Sequence, residues 1–130
     1  MQSVKKYSRE YINECKRKIK ADADEFQKIK AATPSFENIY FRNLILVLEQ
    51  MFVHRMRGEE GKDGNPLNEV RILSNSILTN NCRLESDNTI RYHLDKSILR
   101  IDIGGVININ AKDFGRLAKA YFEEIEKKFS

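Results

Sequence analysis

Residues 36–57 constrain the fold of this chain more than any other stretch, because large apolar side chains occur on nearly every side of the helix that they would form. The spacing predicts one helix, with its polar residues in a narrow sector and only Arg55 interrupting the apolar side. A helix without a wide polar face has no side that favours water. We therefore expect this helix to lie at the centre of the protein, with the other elements packed around it.

The composition predicts one globular domain over residues 1–130. Of the 130 residues, 41% are apolar and 32% are charged, a balance typical of soluble proteins. The longest uninterrupted apolar run, residues 44–48, is far shorter than the roughly 20 residues that cross a bilayer. Residues 1–9 are polar and basic and lack the apolar centre of a secretion signal. We expect a cytoplasmic protein that does not bind membranes.

Local signals mark the starts of three helices. Thr33-Pro34 ends a first helix, predicted from about residue 3 to about residue 31, and begins the apolar helix. Asn65-Pro66 begins a third helix, and Asn110 caps a last one. In each case a side chain that accepts hydrogen bonds precedes the predicted helix.

The stretch between the third and last helices has a different period. Its apolar residues alternate with polar ones, and Gly104-Gly105 predicts a tight hairpin turn. The alternating residues are Ile90, Tyr92, Leu94, Leu99, Ile101, Ile103, Ile107 and Ile109. We therefore predict an α+β fold, with about four helices around a buried central helix and a small antiparallel β-meander before the C-terminal helix.

One candidate site lies where the apolar helix, the glycine-rich loop 58–65 and the third helix meet. Polar side chains concentrate there, and loops that meet a buried helix often carry function. The alternative is that the loop charges are solvated and that Arg55 and Arg71 pair with helix carboxylates. The candidate ligand-binding residues for a small molecule or a substrate are His54, Arg57, Lys62, Asp63, Asn65 and Arg71.

The loop does not match known phosphate-binding or calcium-binding motifs. Gly61-Lys62 lacks the upstream glycine and the following Ser or Thr of a P-loop, and two oxygen ligands of an EF-hand are missing. The two histidines and two cysteines have no metal-ligand spacing. The sequence therefore predicts no catalytic residue, metal or cofactor, and it favours a protein that is not an enzyme.

The first helix carries a basic outer stripe that is a candidate nucleic-acid-binding surface. Residues 1–31 contain nine Lys and Arg against five Asp and Glu, and the remaining residues contain fourteen of each. A row of cations attracts a phosphate backbone through counterion release. The alternative is an ordinary solvated face, since no aromatic residues lie among these cations. The stripe consists of Lys5, Arg9, Lys16, Arg17 and Lys20.

The predicted length of the first helix also suggests self-association. A helix over residues 3–31 would be about 40 Å long, more than a domain of this size covers. We therefore expect a homo-oligomer that contacts itself through the first or the apolar helix, with another protein as a possible partner. A non-enzymatic binding domain is the leading functional hypothesis, ahead of nucleic-acid binding and of a site at the loop.

Three segments resemble small bacterial proteins to which no activity is assigned. They are residues 53–57, residues 60–71 and residues 122–126, and the resemblance covers most of residues 36–130. It implies a bacterial origin, and it transfers no reaction, cofactor or catalytic residue to this chain.

Overall fold

The computed structural model describes residues 3–130 and is helical over most of this range. The helices are α1 (Arg9–Gln27), α2 (Pro34–Met51), α3 (Arg57–Glu60), α4 (Pro66–Thr79) and α5 (Ala111–Phe129). Among these described helices, none combines the length and the apolar character that crossing a membrane requires.

The predicted starts of α2, α4 and α5 are confirmed by their N-caps. The Thr33 hydroxyl accepts a hydrogen bond from the Phe36 amide, and the Asn65 side chain accepts from the amides of Leu67 and Asn68. Asn110 caps α5 by accepting from the amide of Asp113. These signals are local, because each cap satisfies free amides within its own first turn.

The predicted α+β class is wrong, because residues 3–130 contain no β-sheet. Residues 82–109 form turns and extended segments instead of a meander. The Gly104-Gly105 turn does not join two paired strands, since Arg83 forms an isolated antiparallel bridge with Val106. Positive φ angles at Cys82 and Arg100 interrupt the extended backbone.

Helix side chains take hydrogen bonds that a meander would have made between strands. The Glu69 carboxylate of α4 accepts from the amides of Ile98 and Leu99 at 2.7 and 3.0 Å. The Asn38 side chain of α2 accepts from the amide of Ile109 at 2.8 Å. Leu84, Ile90, Ile107 and Ile109 of this stretch are buried against the helices, and backbone amides such as those of Ile98 and Ile109 donate to helix side chains.

The first two helices are shorter than predicted. Ser8 caps α1, and the segment before it is extended, with the amide of Val4 donating to the His54 carbonyl at 2.7 Å. At 19 residues α1 is about 28 Å long, so the argument for self-association from a 40 Å helix does not hold. Helix α2 ends at Met51, and the chain then turns so that Arg55 enters the interior.

The helix that contacts all the others is α5, and not α2 as predicted. Helix α5 packs against α1, α2, α3 and α4 and buries seven residues, among them Phe114, Tyr121 and Phe129. Helix α2 buries Phe41, Leu44, Ile45, Leu48 and Glu49, and its opposite side faces solvent. The most apolar helix of the chain is therefore covered on one side only.

Candidate functional site

Four charged side chains are enclosed where α2, α3, α4 and α5 meet. We call Glu49, Arg55, Glu60 and Arg71 the charge cluster. Glu49 belongs to the last turn of α2, Arg55 to the following turn, Glu60 to α3 and Arg71 to α4. The side chains of Arg55 and Glu60 are fully buried, and those of Glu49 and Arg71 are 11% and 14% exposed.

The two guanidinium groups and the two carboxylates of the charge cluster compensate one another. Arg55 Nη2 lies 3.1 Å from Glu49 Oε1, and Arg55 Nε lies 3.0 Å from Glu60 Oε1. Arg71 contacts Glu60 through Nη2 at 2.5 Å and through Nε at 3.2 Å, and its Nη1 lies 4.0 Å from Glu49. Two positive and two negative charges are thus buried together without a net charge.

Neutral groups add hydrogen bonds to the cluster, while Arg55 Nε contacts Glu60 as an ion pair without the alignment of a hydrogen bond. Asn68 Nδ2 donates to Glu60 Oε2 at 2.7 Å, and Arg55 Nη2 donates to the Leu67 carbonyl at 3.1 Å. The Tyr121 hydroxyl accepts from Arg55 Nη1 at 3.2 Å. Since four elements supply these groups, the cluster joins the elements to one another.

The two carboxylates of the cluster differ in pKa. Burial raises the pKa of Glu49, and the attraction of Arg55 only partly offsets this effect. Burial also acts to raise the pKa of Glu60, but the hydrogen bond from Arg71 and the charge of Arg55 outweigh it, so that the pKa is lowered. Both carboxylates are bound to arginine side chains of the cluster, Glu49 to Arg55 and Glu60 to Arg55 and Arg71.

Four of the six predicted ligand-binding residues lie around Glu60: Arg57 and Arg71 contact its carboxylate, and Asn65, which binds Asp63, donates to its carbonyl. Arg71 belongs to the charge cluster, whereas His54, Arg57 and Lys62 are exposed. Asn65 caps α4, and its Nδ2 donates to Asp63 Oδ1 and to the Glu60 carbonyl, both at 2.8 Å. Within residues 3–130, no group of three His, Cys, Asp or Glu side chains is placed to hold a metal ion.

Carboxylates neutralise much of the basic stripe of α1. Arg9 and Lys16 both contact Glu126 of α5, at 2.5 and 3.0 Å. Lys20 pairs with Asp24 at 2.9 Å, and Arg17 pairs with Glu14. Lys5 is exposed and precedes the helix. Nucleic-acid binding by these residues stays a prediction, with most of the positive charge already compensated.

A groove of about 610 Å³ runs between α1 and α5. Its floor is apolar and includes Ile19, Phe114 and Phe122, and its volume is in the range of small-molecule sites. Its rims carry both signs of charge, and Lys16 and Glu126 are paired with each other there. Nothing in this arrangement selects one class of ligand.

The outer side of α2 is apolar and exposed. We define the α2 face by the side chains that are exposed or half-buried along one arc of about 120° of the helix. Phe36, Ile39 and Val47 are 43%, 45% and 36% exposed, and no charged residue lies in this arc. The members of the α2 face are Phe36, Ile39, Tyr40, Asn43, Leu46, Val47 and Gln50.

A shallow groove between α1 and α2 continues the α2 face. It has a volume of about 740 Å³, and Leu46, Val47 and Gln50 form part of its wall. On the α1 side, Tyr11 is 40% exposed. The apolar surface is therefore wider than α2 alone.

Sequence reasoning missed the α2 face because it assigned these apolar residues to the core. One signal could have revealed it: Asn43 and Gln50 fall in the middle of the arc that contains Phe36, Ile39 and Val47. Two uncharged polar residues within an apolar stripe are typical of a surface that is sometimes solvated.

No protein-family model, curated protein or solved structure matches this chain. We therefore infer its function from the geometry of the chain itself.

Proposed function

We propose that this protein acts by binding proteins rather than by catalysis, and that a second copy of the chain binds to its α2 face. The observation that carries the proposal is the exposure of Phe36, Ile39 and Val47 on a helix side without charged residues. Single exposed apolar residues are ordinary in monomers, whereas several exposed apolar residues grouped on one face are typical of an interaction surface.

The chemistry of the α2 face favours a second copy over a charged partner. An acidic or basic partner would find no opposite charge in this arc and would bury its own charges unpaired. A second copy brings another uncharged surface. At the edge of the face, Glu14 and Lys18 of α1 are already paired with Arg17 and Asp22.

The size of the surface suits a reversible dimer. With 18 residues, α2 is about 27 Å long, and α2 with its adjoining groove is about 20 Å wide because packed helices lie roughly 8–10 Å apart. The contact would bury on the order of 600 Å² per copy, at the lower end of stable interfaces. We therefore expect a dissociation constant on the order of 10 μM.

Sedimentation equilibrium tests the proposal through a matched pair of variants. Ile39→Glu places a carboxylate on the α2 face, whereas Leu78→Glu makes the same change at an α4 residue that is 67% exposed. We expect Ile39→Glu to raise the dissociation constant by about tenfold or more, because its carboxylate would be buried without a partner. Leu78→Glu should associate like the unchanged protein.

Two results would contradict the proposal. The unchanged protein could sediment as a monomer at concentrations well above the expected dissociation constant, or the two variants could associate equally. Circular dichroism of both variants shows whether they are folded, so that a loss of association is not confused with unfolding.

A further inference from the structure

We infer that the two α2 helices of the dimer run antiparallel, with a two-fold axis that passes beside Asn43. This inference rests on the proposed function and specifies the register of the contact. It follows from the positions of the residues on the α2 face, from their sizes and from the uncharged character of the arc.

The α2 face is nearly symmetric about Asn43. Ile39 lies four residues before Asn43 and Leu46 three after it, on one edge of the arc. On the other edge, Tyr40 lies three residues before Asn43 and Val47 four after it. The 3–4 spacing is that of a helix seam that packs against another helix.

An antiparallel two-fold pairing converts this symmetry into contacts between different residues. Each edge of the arc then meets the same edge of the partner, so that Ile39 packs against the second copy's Leu46 and Tyr40 against its Val47. Phe36, near one end of the face, lies opposite the second copy's Gln50, near the other end. The larger Tyr40 and Phe36 therefore meet the smaller Val47 and the more flexible Gln50, while Ile39 meets Leu46, which is of equal size.

A parallel pairing would fit this surface less well. It would place both Phe36 side chains and both Tyr40 side chains at one end, and both Val47 side chains at the other. The helices would then be held apart at the aromatic end and would leave unfilled space beside Val47, and gaps of this kind lose packing energy. The uneven distribution of side-chain size along α2 thus selects the antiparallel arrangement.

Asn43 favours one alignment of the two helices over shifted ones. Its amide carries both donors and an acceptor, so two Asn43 side chains that meet on the axis can bind each other. A one-turn slip would leave both amides against apolar side chains at a cost. Single asparagines in apolar helix seams set register in this way. On α2 itself the nearest charge to the face is Arg42, about a quarter turn from its centre.

Disulfide trapping in the 130-residue chain tests the register. All variants carry Cys82→Ser, which removes the half-buried native thiol, while Cys15 is 5% exposed and is retained. Asn43→Cys should form a covalent dimer on mild oxidation, because disulfides need Cα atoms roughly 4.4–6.8 Å apart. Ile39→Cys alone should not, since the Cα atoms at position 39 of the two copies would be about 12 Å apart along the helices.

The decisive sample is a mixture of Ile39→Cys and Leu46→Cys, one of them with a size tag. We expect a covalent heterodimer in this mixture and few covalent dimers of either variant alone. The protein that carries only Cys82→Ser is the negative control. Covalent dimers of Ile39→Cys alone, or no trapping by any variant although the unchanged protein dimerises, would overturn the antiparallel register and leave self-association intact. If the unchanged protein is a monomer in sedimentation, both proposals fail.

Discussion

The charge cluster and the α2 face reverse the usual placement of polar and apolar residues. The cluster encloses two arginines and two glutamates in the interior, whereas the α2 face exposes Phe36, Ile39 and Val47. Buried charges are costly unless they are paired, and exposed apolar stripes are unusual unless another surface covers them. The cluster has its partners within the chain, whereas the α2 face is covered only at one edge, where Phe36 and Tyr40 pack against Phe26 of α1.

From this difference we infer that the α2 face, rather than the charge cluster, bears on the proposed function. Every charge of the cluster is paired with another side chain of the same monomer, so the cluster needs no second molecule to compensate its charges. The α2 face becomes complete only when a second surface covers it. A feature that the chain satisfies internally stabilises the fold, and a feature that it leaves uncovered is available for binding.

The largest expected effect comes from breaking the charge cluster. Arg55→Met removes the fully buried one of the two arginines that Glu49 and Glu60 share. We expect the free energy of unfolding to fall by about 3–5 kcal/mol, the cost of stranding a buried charge. Urea denaturation followed by circular dichroism measures this loss.

Arg57→Met is the control for this change. Arg57 is 47% exposed and lies 3.9 Å from Glu60, so its removal should cost less than about 1 kcal/mol. Equal stability of Arg55→Met and the unchanged protein would refute the structural role of the cluster and would restore this region as a candidate ligand site.

A smaller loss is expected at the glycine loop that carries the chain into α4. Gly64 has φ +87°, and an added Cβ would lie 2.4 Å from the Arg91 carbonyl oxygen. Gly104 has the same φ but open space around it. We expect Gly64→Ala to lose about 2–4 kcal/mol of unfolding free energy and Gly104→Ala about 1 kcal/mol. Similar melting temperatures for the two variants would mean that the backbone at Arg91 moves aside freely.

A pH titration changes only the protonation state of the side chains, including the buried carboxylates of Glu60 and Glu69. Arg71 and Arg55 hold the pKa of Glu60 below its ordinary value of 4.5 against the opposing effect of burial. Burial raises the pKa of Glu69 above 4.5, and the hydrogen bonds from Ile98 and Leu99 only partly offset it. NMR titration of the side-chain carboxyls should therefore give a lower midpoint for Glu60 than for Glu69.

The two glutamates affect stability with opposite signs. The contribution of Glu60 is present above pH 4.5 and is lost as the pH falls through its lowered pKa in the folded state. The contribution of Glu69 is present below pH 4.5 and is lost as the pH rises through its raised pKa. A reversed order of the NMR midpoints would show that Glu60 is not held by the arginines as described.

The smallest effect on stability is expected on the α2 face. Measured at a concentration where the protein is monomeric, Ile39→Glu should change the free energy of unfolding by no more than about 0.5 kcal/mol, as exposed substitutions usually do. Chemical denaturation of the dilute protein tests this. A loss of several kcal/mol would show that Ile39 belongs to the core of the monomer.

Part of the fold and part of the site could be predicted from the sequence. The caps Thr33, Asn65 and Asn110 could be predicted because each acts on amides within its own turn. Arg71 was singled out, and its pairing with a carboxylate was considered, but the contribution of Glu60 was missed. Glu60 lies in a charged, glycine-rich stretch that predicts solvent, and only the position of α5 and α4 over it makes it buried.

The extended region before α5 shows why the fold class could not be predicted. The alternation of Ile90, Tyr92, Leu99, Ile101 and Ile107 describes which side chains turn inward, and both a sheet and an irregular cover produce it. The carboxylate of Glu69, from a distant helix, takes the amides that would have paired strands.

The sequence alone determined where three helices begin and which side chains are apolar, because caps and hydrophobicity are properties of neighbouring residues. Only the tertiary structure decided that α5 contacts every other helix, that two arginines and two glutamates are enclosed together, and that one side of α2 remains open. Burial depends on which elements meet in space, and contacts between residues far apart in the chain leave little trace in any local pattern.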